Sequence, residues 1–268
     1  MDLMFLENGL LAHAWPMFWL FVSAFLQSIT GFGLVIIGAP LMMLFYDAKL
    51  TVVMMLLLSS CANLTQSIIL FRQAHLKTIS WLLLGTILGQ PIGCLIYHAF
   101  SPSGLHLFVS IVLLLSLLAM QFLHIHFQEG ARNSITTGIF SGILTLTTGM
   151  GGPPLIFYFA YTTLPPAELR ATCICYFMLN SLCSLLTFFL SGTPISPAAQ
   201  ESLWFLPMLF LGIFCGSIMF RHVSAALFRQ LIVLMLAVIC LYSIVTAYGE
   251  IQSVHNFSMK FISDLLFC

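Results

Sequence analysis

Two glycine-rich breaks interrupt otherwise apolar stretches of the sequence. The first reads SITGFGLVIIGAP at 28–40, and the second reads TTGMGGPPLIFYF at 147–159. Glycine permits positive φ, and proline suits the first turn of a new helix, where its missing N–H costs nothing. A helix that starts at such a break points its free N–H groups and the positive end of its dipole at the break. The chemistry that this arrangement favours is anion binding.

The residues at and near these breaks form the candidate substrate site. Threonine hydroxyls and glycine N–H groups would donate to the anion. Carboxamides in the neighbouring apolar stretches CANLTQS and MLNSLCS either line the same cavity or only join helices. The candidates are Thr30, Gly31, Gly33, Asn63, Gln66, Thr147, Thr148, Gly149, Gly151, Gly152, Pro153 and Asn180. Arg170, in PPAELRATC, is a candidate charge at the cavity mouth, although the positive-inside rule favours a membrane anchor.

The composition predicts an integral membrane protein. Of the 268 residues, 60% are hydrophobic, 8 are Lys or Arg, and 8 are Asp or Glu. The mean hydropathy is +1.09. Such a chain lacks the charge that the surface of a soluble domain of this size needs. A formal net charge of zero without a basic block also argues against nucleic-acid binding.

Eight apolar segments bounded by charges, Pro and Gly predict the membrane architecture. Those at 15–46 and 134–163 have about 30 residues, and each contains one break. A continuous helix of that length would reach about 45 Å, well beyond a hydrocarbon core of about 30 Å. Each is therefore predicted to form two short helices. The single-span segments lie near 50–71, 79–99, 104–123, 169–190, 202–220 and 225–247.

The two broken segments open two halves of matching order, which indicates an internal duplication. At an offset of 118 residues, three pairs of small residues align: Ser23 with Ser141, Gly31 with Gly149, and Gly33 with Gly151. At an offset of 123, Gly89 aligns with Gly212 and Gly93 with Gly216. The predicted units are a first transmembrane repeat at 1–123, a connecting loop at 124–133, a second repeat at 134–250 and a C-terminal tail at 251–268.

The distribution of basic residues favours halves that are inverted relative to each other. If each break marks a hairpin, six basic residues share one side of the membrane: Arg72, Lys77, Arg132, Arg170, Arg221 and Arg229. Lys49 and Lys260 share the other side. Because basic residues accumulate in short cytoplasmic loops, both termini are expected outside. The predicted fold class is an all-α polytopic membrane protein of two inverted repeats, each opening with a broken or hairpin helix followed by three spans.

Metal and enzyme chemistry find little support in the sequence. His124 and His126 lack a nearby third ligand, and Cys173 and Cys175 would point to different faces of a helix. There is no HExxH or GxSxG motif, and no acidic residue lies deep in a span. No metal, cofactor or catalytic residue is therefore predicted. A transition-metal or other cation permease and a non-transporting structural membrane protein stay open as alternatives.

The chain resembles the TauE/SafE family of sulfite and sulfonate exporters, also called the toluene sulfonate uptake permease family. The resemblance rests on the two-half layout and on the breaks QSITGFGLVIIGAP and LTLTTGMGGPPLIFY. It implies a multi-pass carrier of the bacterial cytoplasmic membrane that moves sulfite, an organosulfonate or a related organic anion. The paired breaks suggest that access to a midplane site alternates. The expected partners are a small anionic substrate and the lipid bilayer, and a homo-oligomer stays open.

Overall fold

A computed structural model describes residues 3–102, 104, 105, 108, 111, 130–160 and 164–220. These residues include eight α-helices: α1 (Leu3–Thr30), α2 (Leu34–Met42), α3 (Ala48–Leu70), α4 (Leu76–Ala99), α5 (Ala131–Thr148), α6 (Gly152–Ala160), α7 (Pro166–Leu190) and α8 (Ser196–Phe220). A short 3-10 helix, Phe71–Gln73, follows α3. No strand occurs in these parts of the chain, and the predicted all-α class is confirmed. The predicted segment at 225–247, the tail at 251–268, and most of the segment at 104–123 and of the loop at 124–133 lie outside the described residues.

Four of the described helices are long and apolar enough to cross a membrane. They are α3 with its 3-10 extension, α4, α7 and α8. Large apolar side chains point away from the protein on several of them, for example Leu95 on α4, Leu190 on α7 and Phe214 on α8, which are 73%, 76% and 64% exposed. Such a surface requires lipid around it. The chain is therefore an integral, multi-pass membrane protein.

The predicted breaks in the two long segments are confirmed. α1 ends at Thr30 and α2 begins at Leu34, while α5 ends at Thr148 and α6 begins at Gly152. α2 and α6 have 9 residues each, which is about 14 Å and too short to cross the hydrocarbon core. α1 starts at Leu3 instead of near residue 15. The added residues are rich in Leu and Ala, which are strong helix formers.

Each broken segment folds back on itself as a hairpin. Tyr46, just after α2, lies 2.6 Å from His13, about three turns into α1, measured from hydroxyl to Nδ1. In the second segment the Tyr158 hydroxyl, near the end of α6, lies 2.9 Å from the Ser134 hydroxyl near the start of α5. The second arm of each hairpin therefore returns toward the side from which the first arm came.

Two helix pairs connect the predicted first half of the chain with the predicted second half. α1 packs along α8, and α4 packs along α5. Small residues allow this close approach: a Cβ added at Gly89 would lie 2.2 Å from the carbonyl oxygen of Ile139, and one at Gly216 would lie 2.4 Å from that of Phe25. Backbones this close need glycine at the contact. The glycine stripes of α4 and α8 thus join each half to the first helix of the other.

Helices α3 and α7 run in opposite directions. The Ser67 hydroxyl donates to the Met178 sulfur at 2.9 Å. Eight residues further along, the His75 N–H donates to the Thr172 hydroxyl at 3.0 Å. Residue numbers rise from 67 to 75 on the α3 side, while those of the contacted α7 residues fall from 178 to 172. The two helices are therefore antiparallel.

Candidate functional site

The first break is a tight turn capped by a threonine. Gly31 has φ +84°, and its N–H donates to the Gln27 carbonyl at 2.7 Å. The Thr30 hydroxyl donates to the Leu26 carbonyl at 2.9 Å and lies 3.4 Å from the Phe32 nitrogen. Glycine adopts this left-handed conformation without the strain that a Cβ would cause. The helix therefore ends here and the chain can turn back.

The second break repeats this turn. Gly149 has φ +75°, and its N–H donates to the Thr145 carbonyl at 2.9 Å. The Thr148 hydroxyl donates to the Leu144 carbonyl at 2.7 Å and accepts the Met150 N–H at 3.1 Å. Each of these residues stands 118 positions after its counterpart in the first break. The alignment of the two breaks thus extends to their hydrogen bonds.

A cavity of about 30 Å³ lies between the two breaks. The first turn of α2 lines one part of it, and Gly149, Gly151 and Gly152 line another. The N-terminal ends of both short helices therefore reach the same space. A buried water needs about 10–15 Å³ on this scale, so this conformation encloses room for about two water molecules.

Two matching hydrogen-bonded pairs form the polar walls of the cavity. Gln27 Nε2 donates to Asn63 Oδ1 at 2.5 Å, and Asn180 Nδ2 donates to the Thr145 hydroxyl at 2.8 Å. Gln27 and Thr145 are 118 residues apart, and Asn63 and Asn180 hold comparable places on α3 and α7. All four side chains are at most 3% exposed. Gln27 Oε1 and Asn180 Oδ1 have no hydrogen-bond partner among the described residues, so each wall has a polar atom that is free to bind a ligand.

The cavity lining includes six of the predicted substrate-binding residues: Gly33, Asn63, Gly149, Gly151, Gly152 and Asn180. Thr30, Gly31 and Thr148 are absent from the lining and form the adjacent turns.

Gln66, Thr147 and Pro153 also lie outside the cavity wall. Gln66 Nε2 donates to the Ala62 carbonyl at 3.2 Å, and the Thr147 hydroxyl donates to the Ile143 carbonyl at 2.9 Å. Pro153 occupies the first turn of α6, as its type favours. These three residues shape their own helices.

The sequence patterns do not predict four polar residues of the cavity lining: Gln27, Ser59, Thr145 and Ser181. Gln27 and Thr145 each precede the first glycine of a break by one helical turn. Ser59 likewise precedes Asn63 by one turn, and its hydroxyl accepts the Asn63 Nδ2–H at 2.9 Å. One-turn spacing from the breaks and the buried carboxamides is therefore the signal that points to three of the four.

A chain of buried hydroxyl groups holds the start of α6. The Tyr176 hydroxyl donates to Ser141 at 2.9 Å, and the Ser141 hydroxyl donates to the Gly151 carbonyl at 2.7 Å. A Cβ added at Gly151 would lie 2.1 Å from the Thr145 hydroxyl and 3.0 Å from Asn180 Nδ2. Gly151 is therefore needed for close approach, because any side chain there would displace the polar wall.

Arg170 lies behind the first break and does not line the cavity. Its side chain is 6% exposed, and the guanidinium carbon is 4.2 Å from the centre of the Phe220 ring, a cation–π contact. Within the described part of the chain, Arg170 Nε has no hydrogen-bond partner. The Arg170 carbonyl would lie 2.9 Å from a Cβ at Gly31, so the α7 backbone supports the first turn directly. A role at a cavity mouth stays a prediction.

The described part of the chain contains no group of three or more His, Cys, Asp or Glu that could hold a metal ion. Cys173 and Cys175 are free and buried in α7. The pair His124 and His126 lies outside the described residues.

Comparison with known proteins yields one family. The family model described as Sulfite exporter TauE/SafE matches residues 17–243, most of the chain. This range contains both hairpin breaks and every residue of the cavity wall. No curated protein and no solved structure matches.

Proposed function

Because the chain belongs to the TauE/SafE family of sulfite exporters, we propose that it is a secondary transporter that moves sulfite or an organosulfonate across the membrane. The observation that carries this proposal is the cavity that the N-terminal ends of two short helices share. The family consists of transporters, which agrees with a chain whose sequence offers no catalytic motif.

The anion would be held mainly by neutral donors. The first turn of α2 offers backbone N–H groups that have no partner within the helix, and α2 and α6 each add a dipole end of about half a positive charge. No Lys or Arg is among the cavity residues. The carboxamides of Gln27 and Asn180 can turn either an oxygen or an NH₂ toward the cavity. Neutral donors limit affinity, which suits a carrier because its substrate must also be released.

We propose that the halves, residues 1–123 and 134–250, are inverted repeats and that access alternates between their two sides. The antiparallel course of α3 and α7 supports this proposal. So do the basic residues, because Arg72, Lys77, Arg132 and Arg170 lie near one end of the bundle and Lys49 lies at the other. The basic end would face the cytoplasm of a bacterial cell. The small cavity corresponds to a closed state, and the hairpins would move apart to admit the substrate.

Flux measurements in proteoliposomes test this function. We expect wild-type protein to carry sulfite or a short sulfonate, and Gly151→Ala to lower the flux at least tenfold because its Cβ collides with Thr145. Gly130→Ala is the matched control, since no described residue lies within 4 Å of a Cβ at Gly130 and its φ of 179° is extended. Wild-type flux in Gly151→Ala would overturn the site.

The same assay separates the two alternatives. Transport of a divalent metal that sulfite and sulfonates do not compete with would support a cation permease. Absence of flux, together with no change in thermal stability on addition of any anion or metal, would support a structural membrane protein.

A further inference from the structure

A second, larger cavity lies at the opposite end of α7 from Arg170. It has about 450 Å³ and is formed by the start of α3, the end of α4 and the connection between α7 and α8. One edge is polar, with Lys49, His98 and Thr193. The rest is mainly apolar and includes Val53 and Pro197. The cavity thus combines a cationic edge with an apolar wall.

The cation at this edge is held in place by its neighbour on α4. The Lys49 ammonium lies 5.4 Å from the centre of the Tyr97 ring, and the Tyr97 hydroxyl donates to the Lys49 carbonyl at 3.2 Å. Tyr97 is 4% exposed and therefore forms a fixed platform. Asp47, the nearest carboxylate in sequence, accepts the Lys49 backbone N–H at 2.9 Å and caps α3. The ammonium has no ion pair or hydrogen bond with other described residues.

His98 adds a second group whose orientation is determined by its hydrogen bonds. Its Nδ1 lies 2.8 Å from the Cys94 carbonyl, which can only accept, so Nδ1 carries the proton. Nε2 lies 3.2 Å from the Thr193 hydroxyl, and that hydroxyl lies 3.0 Å from Ser191. The Thr193 hydroxyl can rotate to donate to a ligand. With Nδ1 protonated, Nε2 can only accept, so Lys49 and the Thr193 hydroxyl are the donors available to a small anionic headgroup.

We propose that this cavity binds an organic anion with a small charged headgroup and a short apolar body, such as an alkyl sulfonate. The headgroup would lie at Lys49 and Thr193, and the body against Val53 and Pro197. Its volume is within the range of about 300–1,000 Å³ typical of small-molecule sites, which are mostly apolar with a few orienting polar groups. As a station on a transport route the site rests on the proposed function, but binding itself does not require flux.

Calorimetric titration of the full-length protein in lipid-free detergent with butane-1-sulfonate tests the proposal. We expect binding that Lys49→Gln weakens at least tenfold and Thr193→Val weakens severalfold. Lys77→Gln is the matched control, because Lys77 is an exposed lysine near the other end of the bundle. Methanesulfonate should bind more weakly, by about fourfold for each buried CH₂ that it lacks. Equal affinity of wild type and Lys49→Gln would overturn the proposal.

The central site is distinguished by Gly151→Ala. This variant should lose flux and keep its affinity for butane-1-sulfonate, because the change lies in the central cavity. Loss of binding in Gly151→Ala with unchanged binding in Lys49→Gln would place the ligand in the central site and overturn the second one. Failure of transport in the wild type, with intact Lys49-dependent binding, would count against the proposed function alone.

An anionic lipid headgroup has the same chemistry as a soluble sulfonate. Native mass spectrometry after exposure to phosphatidylglycerol distinguishes the two sources. Butane-1-sulfonate binding in the absence of that lipid supports the soluble anion. Phosphatidylglycerol retained by the wild type and lost from Lys49→Gln, with no affinity for the sulfonate, would overturn it.

Discussion

The two hairpin breaks share one backbone turn but are supported by different neighbours. In the second break, Tyr176 and Ser141 pass hydrogen bonds to the Gly151 carbonyl. Ser23, which corresponds to Ser141 in the first half, donates to the Trp19 carbonyl of its own helix at 2.8 Å. Among the described residues, no equivalent hydroxyl chain extends from Ser23 to the first break.

The first break is supported by backbone conformation and backbone contact. Gly33, like Gly31, has positive φ, at +132°, whereas Gly151 does not. Gly31 also packs against the backbone of Arg170. The same duplicated pattern is thus maintained by glycine geometry on one side of the cavity and by side-chain hydrogen bonds on the other. We therefore expect substitutions of the glycines to destabilise the first break most, and substitutions of the more distant hydroxyl residues to destabilise the second.

The largest difference should appear between Gly31→Ala and Gly149→Ala. Both place a Cβ on a left-handed residue, which costs about 1–2 kcal/mol. At Gly31 the Cβ also meets the Arg170 carbonyl at 2.9 Å, whereas at Gly149 the nearest atom is a Val35 methyl group at 3.1 Å, which can move. We expect Gly31→Ala to abolish flux and to lower thermal stability more than Gly149→Ala does. Equal or reversed effects in thermal unfolding would contradict the comparison.

A smaller effect is expected for the hydroxyl chain. Tyr176→Phe removes the donor to Ser141 and the contact with the Thr86 hydroxyl at 2.7 Å, which should cost about 1–2 kcal/mol of stability and lower flux severalfold. Ser23→Ala is the control from the first half and should cost about 0.5 kcal/mol or less, because its hydroxyl only shares a helix carbonyl. Denaturation of both variants in the same detergent gives the comparison. A larger loss of stability in Ser23→Ala than in Tyr176→Phe would contradict the role of the hydroxyl chain at the second break.

The smallest effect concerns the open ends of the hairpins, where the two arms meet far from the break. Tyr46→Phe and Tyr158→Phe each remove one hydroxyl contact, with an expected cost of about 1 kcal/mol at neutral pH. Burial, with a contribution from Glu201, raises the pKa of Tyr46 from 10.0 to about 12. The stability that this shift contributes is present below pH 10 and is lost as pH rises through about 12. The stability difference between wild type and Tyr46→Phe should therefore shrink over that window.

Thermal unfolding at several pH values between 8 and 12 would measure this difference. A difference that stays constant to pH 12 would mean that the Tyr46 environment does not favour the neutral phenol.

The elements of the fold are accessible from the sequence because lipid imposes strong length and polarity limits. The segments near 79–99 and 169–190 agree with α4 and α7 within three residues at each end. Gly31 and Gly149 could be identified because few residue types end a helix in the middle of an apolar run. The second occurrence of the break at an offset of 118 residues adds information, because an isolated kink would not be repeated at a fixed offset.

The composition of the cavity wall was less accessible, because it depends on how each helix is rotated about its axis. Thr148 lies in the second break, yet its hydroxyl bonds to its own helix at Leu144. Gln27 lies outside the glycine pattern and meets Asn63 across 36 residues of chain. Rotation and partner choice follow from packing between α1, α3, α5 and α7, which no local pattern contains. A spacing of one helical turn from a break or a carboxamide reduces the number of candidate wall residues, but it does not identify which of them face the cavity.

The packing of α1 against α8 and of α4 against α5 has a consequence for biogenesis. α1 is synthesised first, yet the helix along which it packs, α8, leaves the ribosome only after the second hairpin has been made. Until then α1 has lipid or insertion factors as neighbours. The glycine stripe of α4 likewise has no helix to pack against until α5 has been inserted. A ribosome that stalls between the halves would release a fragment with two unmatched helix faces, a form suited to recognition by membrane quality-control proteases.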